Sequence, residues 1–136
     1  MISRYNLDAN VVLRFLRNDD PSQSPAAERL FARAKNGKAE LVITAVTVAE
    51  IFYVLARVYK LARPEAAARL LPLCQSAVLE VEQRHRVLDA LHRVALANVD
   101  FGDAYLAATA AEHGEQIASF DQDLQAFTDV TTVVPA

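Results

Sequence analysis

The stretch ELVITAVTVAEIF, residues 40–52, contains the change of pattern that decides the fold class. Residues 40–43 are predicted to form a buried strand because they are a short apolar run after a turn signal. From residue 46 to residue 59, apolar side chains recur at the spacing of one face of a helix. A strand followed at once by a helix is the unit from which covered parallel sheets are built.

The same alternation of strands and helices continues in both directions along the chain. Ser24 followed by Pro25 is expected to cap one of the helices, which should stop at Gly37. Further strands are predicted over residues 3–7, 77–81, 116–119 and 130–134, and further helices over residues 10–17, from Pro64 onward, and over 83–97, 101–113 and 122–127. We therefore expect one α/β domain over residues 1–136, a three-layer α/β/α sandwich with a mainly parallel central sheet.

Composition and charge limit the classes of function. The chain has one cysteine, Cys74, which excludes an internal disulfide, so a cytoplasmic location is expected. No uncharged apolar run is long enough to span a membrane, and no membrane association is expected. The net charge of −3 is unevenly distributed, because residues 94–136 contain seven acidic residues and no Lys or Arg. Those acids lie among core-type residues and need positive charge from elsewhere: basic side chains, a metal ion or a partner.

Four acidic residues occupy positions that can converge at one edge of such a sheet. Asp8 follows the first strand, Glu50 lies in a helix without a Lys or Arg three or four residues away, Asp103 begins an apolar helix, and Asp121 follows the strand in QIASF. Each also has a structural explanation, since Asp8 and Asp121 fit helix caps or turns and Asp103 fits the third position of a capping box.

Other polar residues accompany these acids. Asn10 follows Asp8, Asp100 is well placed as the N-cap of the helix that contains Asp103, and Ser119 and Asp123 flank Asp121. Four carboxylates in one cleft repel one another unless a cation compensates. An all-oxygen site suits Mg²⁺ or Mn²⁺ rather than zinc, and such ions activate water and polarise phosphate oxygens.

At these residues the sequence resembles PIN-domain ribonucleases, and specifically the VapC-type toxins of toxin–antitoxin pairs. The resemblance rests on LDANVVLRFL, ITAVTVAEIFYVLARVYKL, VDFGDAYLAATA and SFDQDL, in that order. It implies an α/β/α fold and a Mg²⁺- or Mn²⁺-dependent endoribonuclease that leaves a 5′-phosphate on the downstream product. The family's acids fall on Asp8, Glu50, Asp103 and Asp121, with Asn10 and Ser119 as accompanying polar residues.

The sequence departs from the family's pattern at a few positions. Ala9 stands where Thr is common, and Gly102 is a small deviation before Asp103. In SFDQDL the fourth acidic role falls either on Asp121 or on Asp123. Asp100 is either a cap or a group that supports the metal ligands.

The resemblance also implies partners. RNA is the substrate, and Arg14 and Arg17 are expected to contact phosphates near the cut. A cognate antitoxin is expected to pack an amphipathic helix into an apolar groove, for which the helices at residues 46–59 and 64–73 are candidates. A homodimer is expected on the same grounds.

The alternatives to a ribonuclease are a catalytically inactive PIN-like binding module, whose acids are caps and partner contacts, and a metal-dependent phosphoester hydrolase of another family. The RNA target and the number of metal ions stay open.

Overall fold

The computed structural model describes residues 2–136. Strands and helices alternate along most of the chain, and a short 3₁₀ helix, Gln122–Ala126, lies near its end. The strands are β1 (Ser3–Asn6), β2 (Ala39–Ile43), β3 (Leu79–Val81), β4 (Ile117–Ala118) and β5 (Thr132–Val133), and the helices are α1 (Ala9–Arg17), α2 (Gln23–Lys35), α3 (Ala45–Arg57), α4 (Arg63–Gln75), α5 (Arg84–Ala97) and α6 (Phe101–His113).

The strands form two parallel groups. The first is a three-stranded sheet in the order β1-β2-β3, in which Leu41 pairs with Tyr5 on one side and with Leu79 on the other. The second is the pair β4-β5, in which Ala118 pairs with Val133. Because β1 and β2 run in the same direction, the segments that follow them leave the sheet at the same edge. Asp8 and the start of α3 therefore lie on one side of the molecule.

Helix α3 contributes much of the core. Its residues Val48, Ile51, Phe52 and Leu55 are all buried, as the helical spacing of apolar residues predicts. It packs against α1, α4 and α6, while α4 and α5 form another packed pair. The mixed α/β order, the parallel sheet and the six helices confirm the predicted fold class, an α/β/α sandwich. None of the helices in residues 2–136 is both long and apolar enough to cross a membrane.

Predictions near the ends of several elements are wrong. The strands predicted over residues 77–81 and 116–119 are shorter, Leu79–Val81 and Ile117–Ala118. Helix α2 begins at Gln23, so Ser24 is not its N-cap. The Asp20 carboxylate accepts the N–H of Gln23 at 2.7 Å, and the buried Ser24 hydroxyl accepts the N–H of Asp20 at 3.2 Å. These reciprocal bonds start the helix earlier than the Ser-Pro pair predicts. The predicted last strand, residues 130–134, is reduced to Thr132–Val133.

Candidate metal centre

Three carboxylates converge near the C-terminal part of the chain. Asp103, Asp121 and Asp123 each offer an oxygen, and these atoms all lie within 4.8 Å of one another. Asp103 is partly buried, while Asp121 and Asp123 are exposed. The cluster joins residues 18 and 20 positions apart in sequence. This convergence of Asp103 and Asp121 was expected from the sequence, and Asp123, the alternative fourth acid, belongs to the same cluster.

Helix α6 holds Asp103 in a fixed direction. Asp103 lies in the first turn, and Phe101, two residues earlier, is buried with its ring centroid 6.0 Å from that of Phe52 on α3. Gly102 is exposed, and a Cβ there would meet no heavy atom within 4 Å. Asp100 occupies the N-cap position as predicted, but its side chain makes no capping hydrogen bond. Its carboxylate is therefore not used in capping, and its charge acts on the carboxyl of Asp103.

A chain of hydrogen bonds holds the segment that contains Asp121 and Asp123. The N–H of Ser119 donates to the Val133 carbonyl at 2.9 Å, and the N–H of Asp121 donates to the Ser119 hydroxyl at 2.9 Å. The Asp121 carboxylate then accepts the N–H of Asp123 at 2.9 Å and caps the 3₁₀ helix. Both the structural and the functional interpretation of Asp121 are compatible with this geometry, because one oxygen caps the helix and the other is left for an ion.

The electrostatic environment of Asp103 disfavours its charged form. Burial raises the pKa of the Asp103 carboxyl above its usual range, and the nearby carboxylates of Asp121, Asp100 and Asp123 raise it further. Arg63 opposes these effects and lowers the pKa. The cluster thus concentrates negative charge that the folded chain only partly compensates.

Other acidic residues of the same region are neutralised by helix α5. Arg86 binds Glu112 through two nitrogens at 2.8 and 2.5 Å, and Arg93 binds Asp129 at 2.9 and 2.5 Å. In contrast, none of the predicted site acids makes an ion pair with any residue in the range 2–136: Asp8, Glu50, Asp100, Asp103, Asp121 and Asp123. The fold therefore pairs the acids of the α5 surface and leaves the candidate site negative.

Asp8 and Glu50 are not members of this three-carboxylate group. They line a cavity of about 460 Å³ between α1 and α3, together with Asn10. The Asp8 side chain caps α1 by accepting the N–H of Asn10 at 3.2 Å, so the structural interpretation of Asp8 holds for one of its oxygens. Within residues 2–136 neither Asp8 nor Glu50 belongs to the group of acids close enough to share one ion. A single site formed by all four predicted acids stays a prediction.

Tyr53 is a residue of this cavity that the sequence analysis did not single out. It lies one helical turn after Glu50 on α3, its side chain is exposed, and Arg57 lies over its ring at 5.2 Å. The signal that could have found it is its spacing, because residues three apart in a helix share a face.

The two arginines predicted to contact RNA are engaged within the protein. Arg14 donates to Gln23 at 2.9 Å and to the Tyr59 hydroxyl at 3.2 Å, and it pairs with Asp19 at 3.3 Å. Arg17 lies over the Tyr59 ring at 4.6 Å. Contact of Arg14 and Arg17 with RNA stays a prediction, and for Arg14 it requires breaking bonds that the folded chain already makes.

The donor set of the cluster fits a hard divalent cation. Carboxylate oxygens are the ligands that Mg²⁺ and Mn²⁺ take in proteins, and no nitrogen or sulfur donor belongs to the cluster within residues 2–136. A divalent cation would also compensate the charge that raises the pKa of Asp103. The residues present therefore fit the implied metal.

Comparison with known protein families agrees with this geometry. The family model described as PIN domain matches residues 5–130, which is nearly the whole chain and includes all the predicted site acids. Proteins with this domain are generally metal-dependent nucleases. A search of curated proteins gives no match.

Proposed function

The chain belongs to the PIN-domain family, and from that premise we propose that it is a Mg²⁺- or Mn²⁺-dependent endoribonuclease and the toxin of a toxin–antitoxin pair. The observation that carries the nuclease proposal is the group formed by Asp103, Asp121 and Asp123, whose oxygens lie within 4.8 Å of one another. These acids form no ion pair with any residue in the range 2–136, which supports the proposal because an unneutralised cluster is suited to a cation.

The chain's own residues have distinct roles in this proposal. Asp103, Asp121 and Asp123 hold the metal, which when bound stabilises negative charge on the scissile phosphate and makes a water more acidic. The first turn of α6 fixes Asp103, and the capping bond of Asp121 orients its carboxylate. Asp100 makes no capping bond and is available to accept the proton of the attacking water. Asp8 and Glu50 approach the same RNA strand from the cavity beside α3.

The nuclease proposal is tested by replacing a ligand. We expect the wild-type protein to cut RNA with Mn²⁺ or Mg²⁺ and to stop when EDTA is added. Asp103→Asn should lower the cleavage rate by about 100-fold or more, because the charge that holds the cation is lost while the shape is kept. Glu115→Gln is the matched control, since Glu115 is an exposed acid of the same region outside the cluster.

The contribution of the second cavity is measured by another substitution. Asp8→Asn should also abolish cleavage if the Asp8–Glu50 cavity and the Asp103 cluster act on one phosphate. Retention of wild-type cleavage in Asp8→Asn would remove Asp8 and its cavity from the mechanism. Absence of metal-dependent cleavage in the wild-type protein would refute the nuclease proposal, whereas wild-type cleavage in Asp103→Asn would exclude the three-aspartate cluster as its site.

Arg63 is the cation best placed to bring RNA to the negative cluster. Its guanidinium donates to the Asn98 carbonyl at 3.2 Å, two residues before Asp100, and this leaves other N–H donors free. We expect Arg63→Gln to weaken RNA binding and to reduce the slope of log K against log salt by about 0.7 for a single-stranded substrate. Arg29→Gln on α2 is the control, and an equal slope in both variants would contradict a role for Arg63.

An apolar groove supports the proposal of an antitoxin partner. A cavity of about 760 Å³ lies between α1, α2, α4 and β3. Its apolar lining includes Phe15, Phe31, Pro72 and Val78, and charged side chains lie around it. We propose this groove, rather than the face of α3, as the place where an amphipathic antitoxin helix packs.

A neighbouring reading frame that encodes a short DNA-binding protein with a basic tail would support the pairing of this chain with an antitoxin. The homodimer stays a prediction that sedimentation can measure.

The alternative is an inactive PIN-like binding module. The observation in its favour is that Asp8 and Asp121 both accept backbone N–H groups, as purely structural caps do. Calorimetric titration with Mn²⁺ separates the two functions, because an inactive module should show no tight uptake that disappears in Asp103→Asn.

A further inference from the structure

Phe120 is the most exposed aromatic residue among those that the structure describes. Its side chain is 77% exposed. Within residues 2–136 it contacts no other aromatic ring and no guanidinium, and Tyr5, the other ring without such a contact, is half as exposed. The remaining aromatic side chains lie against a ring or a guanidinium: Phe15, Phe31, Phe52, Tyr53, Tyr59, Phe101, Tyr105 and Phe127.

The backbone on both sides of Phe120 is held by hydrogen bonds. Before it, the N–H of Ser119 donates to Val133, and after it, the N–H of Asp121 donates to the Ser119 hydroxyl. The capping bond between Asp121 and the N–H of Asp123 fixes the next turn. Phe120 is therefore presented to solvent by a fixed turn, so little conformational entropy is lost when a ligand contacts its ring.

This exposed ring is next to the candidate metal ligands. Phe120 directly precedes Asp121, whose carboxylate lies within 4.8 Å of those of Asp103 and Asp123. We propose that Phe120 is a positioning residue that stacks on a base of the RNA next to the scissile phosphate. The inference rests on the proposed ribonuclease function and adds a binding role that the acidic residues do not supply.

A nucleobase suits this ring better than a protein surface does. A base needs only one open aromatic face, and stacking of this kind tolerates any base because every base has a π-face. A protein interface needs a continuous apolar area. Val133 and Val134 are also exposed, but the residues that follow Phe120 toward the candidate site are the exposed and polar Asp121, Gln122 and Asp123. The negative charge of the cluster repels phosphates, so an uncharged contact to the base adds affinity that electrostatics alone do not.

Tryptophan fluorescence tests the stacking directly. The chain contains no tryptophan, so Phe120→Trp introduces a single emitter. In an Asp103→Asn background with Mg²⁺, single-stranded oligoadenylate RNA should quench the emission of this variant. An abasic oligoribonucleotide of equal length, which has the same charge and no bases, should not. Leu96→Trp in the same background is the control, because Leu96 is 89% exposed on α5 and lines a different cavity, which contains no residue of the cluster.

Cleavage kinetics provide an independent measurement in the otherwise wild-type protein. Phe120→Ala should lower kcat/KM for RNA by about five- to 150-fold, mostly through KM, while Phe120→Tyr should retain the wild-type value. Phe120→Leu keeps an apolar side chain and loses the π-face, so it should resemble Phe120→Ala.

The outcomes separate this inference from the proposed function. If wild-type protein cuts no RNA, the ribonuclease proposal fails. If it cuts RNA while Phe120→Ala and Phe120→Leu keep the wild-type kcat/KM, the stacking inference is overturned. Quenching that is equal with the abasic strand overturns it as well. A change of sedimentation in Phe120→Ala, with unchanged RNA cleavage, would assign the ring to a protein contact instead.

Discussion

At the scale of single residues, the chain separates two kinds of acid by their partners. Glu112 and Asp129 are held by Arg86 and Arg93, whereas Asp103 forms no ion pair with any described residue and lies near three other carboxylates. Ion pairs stabilise a fold only where the charges are matched, and an unmatched cluster costs stability. The position of Asp103 is therefore not explained by a gain in folding stability, and it is consistent with the proposed metal site.

This reasoning predicts that Asp103→Asn stabilises the metal-free protein. Because the pKa of Asp103 is raised in the folded state, its ionised carboxylate lowers the free energy of unfolding at pH values above that pKa. This loss of stability is relieved as the pH falls and the carboxyl becomes protonated. At neutral pH we expect the free energy of unfolding in EDTA to rise by about 0.5–2 kcal/mol, measured by urea denaturation.

The same denaturation series with Mn²⁺ gives the matching control. Wild-type protein should gain stability with added Mn²⁺, because a ligand that binds only the folded state stabilises it, and Asp103→Asn should lose most of that gain. Asp129→Asn, which breaks the pair with Arg93, should lower stability and keep the Mn²⁺ response. If metal-free Asp103→Asn has a lower free energy of unfolding than metal-free wild type, repulsion at the cluster does not destabilise the fold and the prediction is contradicted.

At the scale of elements, capping residues predicted the ends of a helix well where only one candidate cap was present at each end. Helix α6 spans Phe101–His113 as expected, because Asp100 occupies its N-cap position and Gly114 adopts the left-handed conformation at φ 65° that ends it. The start of helix α2 was misplaced because the carboxylate of Asp20, rather than the hydroxyl of Ser24, accepts a hydrogen bond from the first turn. Competing polar residues one turn apart cannot be ranked without the tertiary contacts that select between them.

One side chain joins three elements and was not recognised from the sequence. Arg84, at the start of α5, donates to the carbonyls of Cys74 at 2.6 Å and Ser76 at 3.1 Å, and also to that of Leu79. It thereby supplies hydrogen-bond donors to carbonyl groups at the end of α4 and at the start of β3.

Replacing this arginine should therefore loosen the junction of α4, β3 and α5. Arg84→Lys retains the charge but cannot span three carbonyls with the geometry of a guanidinium. We expect the free energy of unfolding to fall by about 1.5–3 kcal/mol in thermal or urea denaturation. Arg29→Lys on the exposed side of α2 should change it by less than about 0.5 kcal/mol, and equal losses in both variants would contradict the role of Arg84.

At the scale of the whole molecule, the sequence predicted the fold more completely than it predicted the geometry of the candidate site. Alternating strands and helices were enough to predict the parallel α/β/α arrangement. The meeting of Asp103 with Asp121 followed from the same reasoning, since both lie near strand ends or helix starts. The placement of Asp8 with Glu50 in a cavity of their own depends on how α1 packs on α3, and no local pattern in the sequence states that.

The distribution of charge predicts how stability of the whole molecule depends on pH. Hydrogen bonds from Arg86 hold the pKa of Glu112 below its usual range, and those from Arg93 do the same for Asp129. Groups of this kind stabilise the fold above their unfolded pKa values, about 4.3 for Glu and 3.9 for Asp, and the stabilisation is lost as the pH falls through the lower folded values. Acid unfolding should therefore begin below about pH 4, with α5 losing its links to α6 and to the C-terminal segment.

The double substitution Glu112→Gln with Asp129→Asn isolates this effect. Stability measured by urea denaturation at several pH values should be lower than wild type at neutral pH and should decline less steeply below about pH 4, because fewer carboxyls with lowered pKa remain to be protonated. Glu65→Gln, which removes an exposed pair within α4, should keep the wild-type slope. The cluster acts in the opposite direction, since protonation relieves the repulsion at Asp103. Stability below about pH 4 therefore reports Glu112 and Asp129, which are paired with the arginines of α5, and stability at neutral pH with and without metal reports the unpaired acids of the site.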